Sequence, residues 1–160
     1  MVKEMKVKNK ISLPNISISI NANISLKLED VDRNKEILTK LNGVYFLVRS
    51  RSNPLMRKFN PFSKNVVYIG KARKSSIFSR VKRHLQTIRC ESTIGGKLAT
   101  NPGAAFKRYR TTVKNDPAHH WVIVYVISEE KPYLISFAEE YLIFKYSCIN
   151  GRLPEANTAK

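Results

Sequence analysis

GVYFLVRSRSNPLMRKFNPFSKNVVYIGKARKSSIFSRVKRHLQTI, residues 43–88, carries the clearest structural signal in the chain. Two short runs of β-branched and aromatic residues, GVYFLV at 43–48 and NVVYIG at 65–70, flank a loop rich in Pro and Arg. The pattern predicts a hairpin with an oversized loop. Ser75 and Ser76 then stand where an N-cap belongs, and Ile77, Val81, Leu85 and Ile88 recur at helical spacing, which predicts a helix over 77–88.

Upstream of the hairpin, ISISINANISLKL at 16–28 alternates apolar residues with Ser, Asn or Lys, as a half-buried strand or hairpin requires. Asp30 or Asp32 is placed to cap a short helix ending near Leu41, and Asn42-Gly43 breaks it. Downstream, residues 90–103 read as a loop, AAFKRYRTTVK at 104–114 as a second basic helix, and WVIVYVI at 121–127 as a fully buried central strand. Lys131 to Ile149 is the strongest helical pattern, closed by Asn150-Gly151. The expected order is β, α, β, β, α, α, β, α. It predicts an α+β fold with a small central three-stranded sheet, antiparallel or mixed, flanked by helices and carrying an N-terminal strand or hairpin as an extension. Residues 1–41 read as a basic arm, hairpin and short helix, residues 42–160 as the main domain, and the two as one compact unit.

The chain has 160 residues, with 29 Lys+Arg against 12 Asp+Glu and a net charge of +17. Such an excess repels itself unless a polyanion supplies counter-charge, which points to nucleic acid, an anionic membrane surface or acidic partners. At 42% hydrophobic the chain is too apolar for a disordered basic tail. Cys90 and Cys148 are too few for a disulfide framework or a four-cysteine zinc site, as suits a reducing cytoplasm. WVIVYVI, the longest apolar run, falls far short of the roughly 18 residues of a membrane span, and the first ten residues lack the apolar core of a signal peptide. The expectation is a cytoplasmic protein with no membrane partner.

The charge is not evenly spread. No acidic residue lies between Glu36 and Glu91, while thirteen Lys and Arg fall inside that interval. Solubility is served equally well by mixed charge, so a one-sign run reads as a surface that tracks phosphates and gains affinity by counterion release. Arg49, Arg51, Arg57, Lys58, Arg73, Lys74 and Arg83, together with Lys107, Arg108 and Arg110 of the second basic helix, are the expected DNA contacts. Phe59, Phe62, Phe106 and Tyr109 are interleaved with them, although core packing is the commoner use of each.

Gly43-Val44-Tyr45 and Tyr68-Ile69-Gly70 lie on two successive strands, with Lys71 directly after the second. The helix that follows holds Arg80 and His84 four residues apart, hence on one face. AEEYLI then places Glu139 ahead of Leu142-Ile143, and LPEAN ends the series with Pro154 and Asn157. In this order the residues resemble the paired tripeptides, Arg/His helix, Glu helix and terminal Asn of the GIY-YIG nuclease superfamily. The chain departs from that pattern in a lengthened interval before Arg80 and a long interval from Glu to Asn. Glu140 is an alternative to Glu139, which fits the spacing to Leu142-Ile143, and Asn150 is a rival to Asn157.

The resemblance implies a metal-dependent endonuclease whose catalytic set is Tyr45, Tyr68, Lys71, Arg80, His84, Glu139 and Asn157. Glu139 holds Mg²⁺ or Mn²⁺, and a lone carboxylate suits an ion that keeps most of its waters. Arg80 and Lys71 bind the phosphate charge. Tyr45 orients or deprotonates the attacking water, which calls for the cationic neighbours Lys71, Arg80 and the metal to lower its pKa. Tyr68 orders water or phosphate, His84 accepts a proton from a tyrosine or contacts phosphate, and Asn157 holds the Glu or a phosphate oxygen. Taken singly, each residue has a plainer use: a strand tyrosine packs, an Arg and His four apart make a basic helix face, and a helix Glu is solvated. Their common order is what favours the nuclease. The expected substrate is double-stranded DNA, cut by a homodimer in the manner of a type II restriction endonuclease. The alternatives are a stand-alone nicking nuclease of phage or repair type and a non-catalytic basic nucleic-acid-binding protein.

Overall fold

The computed structural model describes residues 3–5, 10–13, 16–56, 58–89, 119–127 and 132–157. Strands β1 (Lys3–Met5), β2 (Lys10–Leu13) and β3 (Ile16–Lys27) lead into two 3-10 turns at Leu28–Asp30 and Asp32–Asn34, then helix α1 (Lys35–Thr39). Strand β4 (Gly43–Arg49), strand β5 (Val66–Ala72), helix α2 (Ile77–Arg89), strand β6 (His120–Ile127) and helix α3 (Pro132–Asn150) follow. The fold is α+β, as expected. Among the described residues no helix is long and apolar enough to cross a membrane.

The sheet runs β1-β3-β6-β4-β5, with β2 hairpinned onto the first half of β3, and every pairing is antiparallel. This corrects the three-stranded sheet and its N-terminal extension. β3 pairs with β6 from Ile20↔Ile127 to Lys27↔Trp121 and is therefore a full member of the central sheet. The arm expected over residues 1–10 also includes the strand Lys3–Met5. Central β6 lies between β3 and β4, which explains why Val122, Ile123, Val124 and Ile127 are all buried, as WVIVYVI predicted.

Two apolar layers clothe the sheet. On one face Tyr45, Leu47, Val67, Val122 and Val124 pack with Leu28, Val31, Leu38 and the α2 residues Ile77, Val81 and Leu85. On the other, Val44, Phe46, Ile69, Ile123 and Tyr125 pack with Ile135, Ala138, Leu142 and Tyr146 of α3. The alternation Val44/Tyr45/Phe46/Leu47 along β4 divides its side chains between the two layers, the period of two that a strand imposes. Residues 24–38 share the first layer with α2, so the segment assigned to 1–41 contributes to the same core as the hairpin.

Local chemistry sets the element ends. Ser76 caps α2, its Oγ accepting from the backbone N–H of Ser79 at 3.3 Å. No side chain caps α1, contrary to the role expected of Asp30 or Asp32, and two 3-10 turns lead into that helix in its place. Gly43 has a φ of +153°, and a Cβ there would meet the carbonyl oxygen of Tyr125, so only glycine fits where β4 begins against β6.

The outer edge of β5 is closed by the C-terminal tail. Ala156 N donates to Val67 O at 2.8 Å, while the buried Asn157 amide grips Ile69 twice: Nδ2 donates to its carbonyl at 2.8 Å and Oδ1 accepts from its N–H at 2.9 Å. A side chain thereby does what a neighbouring strand would do for an exposed edge. Asn157→Ala leaves both Ile69 groups without that partner and is expected to cost about 2–4 kcal/mol, read as a lowered midpoint in urea unfolding.

Candidate active site

Tyr45, Tyr68 and His84 meet on the α2 face of the sheet. Register pairs Tyr45 with Gly70 and Leu47 with Tyr68, then jumps so that Val48 opposes Val66. Regular alternation puts Tyr68, Gly70 and Tyr45 on one face, and the residue left over in this β-bulge, Val67, joins that face as well. The two tyrosine rings lie 5.9 Å apart, centroid to centroid, and the Tyr68 and His84 rings 4.7 Å apart. Gly70 makes room for both: a Cβ there would stand 2.7 Å from the Tyr45 hydroxyl and 2.5 Å from Cε1 of Tyr68.

The Tyr45 hydroxyl lies 3.0 Å from Nε2 of His84 and is hydrogen-bonded to Tyr68, so it sits in the middle of a three-member chain. Burial raises Tyr45 well above the usual tyrosine range. Tyr68 adds to the rise, and Arg80 opposes it without overcoming it. Tyr68 is raised for the same primary reason, burial, with the Glu139 carboxylate adding to it. His84 is pushed down to about 3, first by burial and then by Arg80. Near neutrality both tyrosines are protonated and the imidazole is neutral, so a hydroxyl and an uncharged ring nitrogen face each other across the Tyr45–His84 contact. Of the two side-chain cations expected to lower Tyr45, Arg80 does so but is outweighed by burial, and Lys71 engages a different group.

Because the native pKa of His84 lies below its ordinary 6.5, the unfolded chain binds more protons as pH falls. The stability is therefore complete above about pH 6.5 and is lost on descent toward pH 3. Roughly 2 kcal/mol is expected to be gone by pH 5. Thermal melts of the protein and of His84→Gln at pH 7.5 and 5.0 test this, the variant losing that part of the acid sensitivity.

Lys71 opposes Val44 and so stands on the α3 side of the sheet. Its Nζ lies 2.7 Å from Oε2 of Glu139, at an angle that makes an ion pair without a directed hydrogen bond. Glu139 is 9% exposed on the inner face of α3, whereas Glu140 is exposed. Although Glu139 and the tyrosines approach from opposite layers, the carboxylate is near enough to raise both tyrosine hydroxyls. Arg80 biases Tyr45, Tyr68 and His84 alike, and its buried Nε has no hydrogen-bond partner among the described residues. An unsatisfied buried N–H costs about 1–3 kcal/mol, so this donor is suited to an anion arriving from outside.

Tyr45, Tyr68, Arg80, His84, Lys71 and Glu139 are thus brought to one region. Asn157 reaches it through the strand: its amide hydrogen-bonds the backbone of Ile69, between Tyr68 and Gly70. Asn150 lies elsewhere, donating to Phe62 O and Tyr146 O. Nothing in a strand pattern marks Ile69 as the partner of a residue 88 positions later.

The expected DNA contacts divide. Arg73 and Lys74 are exposed just after Lys71, at the site end of the sheet, and Arg83 is exposed on α2. Arg49 and Arg51 lie at and beyond the opposite end of β4, about 20 Å of strand from Gly43, and Arg49 pairs with Glu155 at 3.2 Å. Lys58 is exposed. Arg57, Lys107, Arg108 and Arg110 lie outside the described residues, as does the second basic helix. Part of the acid-free run is answered by acids from elsewhere in the chain, Lys82 by Asp32 and Lys40 by Glu36.

Among the described residues no cluster of three or more His, Cys, Asp or Glu gathers to hold a metal ion. The donor set that remains is the single carboxylate of Glu139, a hard oxygen ligand that fits an ion retaining most of its own waters, as Mg²⁺ does. Compared with models of protein families, with curated proteins and with solved structures, the chain matches none.

Proposed function

We propose that this protein is a metal-dependent endonuclease that hydrolyses phosphodiester bonds in double-stranded DNA. The observation that carries the reading is the meeting, at one end of the β4–β5 hairpin, of a tyrosine–tyrosine–histidine chain, a guanidinium with an unsatisfied buried donor, and one carboxylate. Hydrolysis of a phosphodiester needs a proton acceptor near the attacking water, cationic donors for the phosphate and help for the departing oxygen. Tyr45 and Tyr68 orient the water, and the Tyr45 proton moves toward the neutral Nε2 of His84 as the water loses its own. A phosphate drawn to Arg80 offsets the positive field that helps hold His84 neutral, so substrate binding itself makes His84 a better acceptor. Glu139 would hold Mg²⁺ or Mn²⁺, which when bound supplies charge neutralisation at the leaving oxygen. Asn157 acts through the backbone of β5, fixing the strand from which Tyr68 projects.

The subtype we favour is a site-specific restriction endonuclease acting as a homodimer on DNA, since a single site of this size cuts one strand. The test is incubation with supercoiled plasmid and Mg²⁺ or Mn²⁺, with EDTA as control. Metal-dependent nicking or linearisation is the expected result, and fixed termini distinguish restriction from a nicking enzyme that cuts at scattered sites. Binding without cleavage under either metal overturns the enzyme in favour of a non-catalytic basic DNA-binding protein.

A further inference from the structure

An ion pair taken largely out of water is on average no more stabilising than apolar residues of the same volume, so stability alone does not account for one on the α3 side of the sheet, where the layer is otherwise apolar. The pair also has an unequal position. Lys71 keeps a quarter of its side chain exposed, whereas Glu139 keeps about a tenth, so the lysine is the more open to solvent of the two. The next basic residues along from Lys71 are the exposed Arg73 and Lys74, and Arg80 lies on the other side of the hairpin with its unsatisfied donor. The cation best able to leave is therefore the one bordered by phosphate-binding chemistry.

Divalent ions bind a carboxylate oxygen at about 2.0–2.1 Å when small and hard. An ion on Oε2 and an ammonium 2.7 Å from that same oxygen lie within about 5 Å of each other, where like charges in a partly buried site repel strongly. We propose that Lys71 and a divalent cation compete for Glu139, so that metal binding displaces the Lys71 ammonium and hands it to a phosphate of the substrate. The inference rests on the reading of Glu139 as the metal ligand and adds to it a coupling: metal and substrate each strengthen the other's binding by the same factor, because both draw on the release of one side chain.

Mn²⁺ binding to the purified protein, followed by the electron paramagnetic resonance of free Mn²⁺, tests this without recourse to activity. Lys71→Met is expected to tighten Mn²⁺ about tenfold, Lys71→Arg to stay within about twofold of the parent, and Glu139→Gln to remove the site. Should Lys71→Met fold poorly by circular dichroism, Lys71→Gln removes the charge with a polar side chain of similar reach. Equal or weaker Mn²⁺ binding in the neutral variant overturns the competition and leaves Glu139 standing as the ligand. Absence of any site that Glu139→Gln removes, in parent and neutral variant alike, overturns the metal reading and the competition with it. The handover has its own readout. In a Tyr45→Phe background, Mn²⁺ is expected to raise affinity for a short duplex when Lys71 is present and to do so several-fold less in Lys71→Met. An equal gain in both overturns the transfer to phosphate.

Discussion

Glu139→Ala is expected to abolish metal-dependent cleavage of plasmid DNA, a loss of at least about 10³-fold, while DNA affinity does not fall. The asymmetry follows from the pairing. Removing the carboxylate deletes the group proposed to hold the divalent ion, yet it takes away no cation, and it releases Lys71 from its partner 2.7 Å away. Affinity measured by gel shift in EDTA is therefore expected to hold or to rise a few-fold. Glu140→Ala, one residue along on the exposed side of α3, is the control and is expected to cleave at close to the parent rate. A Glu139→Ala protein that still nicks DNA in Mg²⁺ at the parent rate removes that residue from the chemistry.

Tyr45→Phe is expected to lower cleavage by about 10²–10⁴-fold, the range that loss of a positioned proton-transfer group produces. It deletes one oxygen, but that oxygen is the middle of the chain: it meets His84 Nε2 at 3.0 Å and hydrogen-bonds Tyr68. The same deletion leaves a buried imidazole nitrogen without this partner and costs about 1–3 kcal/mol of stability, visible as a lower urea midpoint with an unchanged circular dichroism spectrum. Assays run well below the melting temperature separate the two effects. Tyr68→Phe touches the chain at its end, on a ring only partly buried, and is expected to cost less in stability.

Much of the architecture was legible before any coordinates. The runs 43–48 and 65–70 became β4 and β5 with a residue or two added, Ser76 caps the helix it was expected to cap, and 77–88 and 131–149 are helices to within one residue. These are local properties: a period of two or 3.6, a serine ahead of an apolar repeat, a glycine where a helix stops. Strand partners are not local. The place of β3 beside β6 joins residues about a hundred positions apart, and the alternation in ISISINANISLKL says that one face is buried without saying against which edge it pairs. For that reason the sequence by itself presents the N-terminal strand as an appendage.

The candidate site divides in the same way. Its residue types and their order were readable, but their relations were not. The register that sets Gly70 opposite Tyr45, and so brings the Tyr68 and Tyr45 rings together, is a pairing between strands that neither strand's own sequence states. Arg80 and His84 were expected on one helix face, and the depth of that face then decides the chemistry, since burial drives His84 to about 3 and holds the tyrosines protonated where neighbouring charge alone suggested the reverse. Asn157 grips the backbone of Ile69, a contact that its place in the motif order does not reveal.

Residue order along the chain is enough to specify which elements form, where they stop, and that the +17 charge is concentrated in the middle of the chain, because each of these depends on neighbours within a turn or a strand. Whether a tyrosine is buried, which cation answers Glu139 and which of the basic residues share an end of the sheet depend on strand order and layer packing. The energies that settle them, desolvation and the pairing of charges across the sheet, act only between groups that the fold has already brought together.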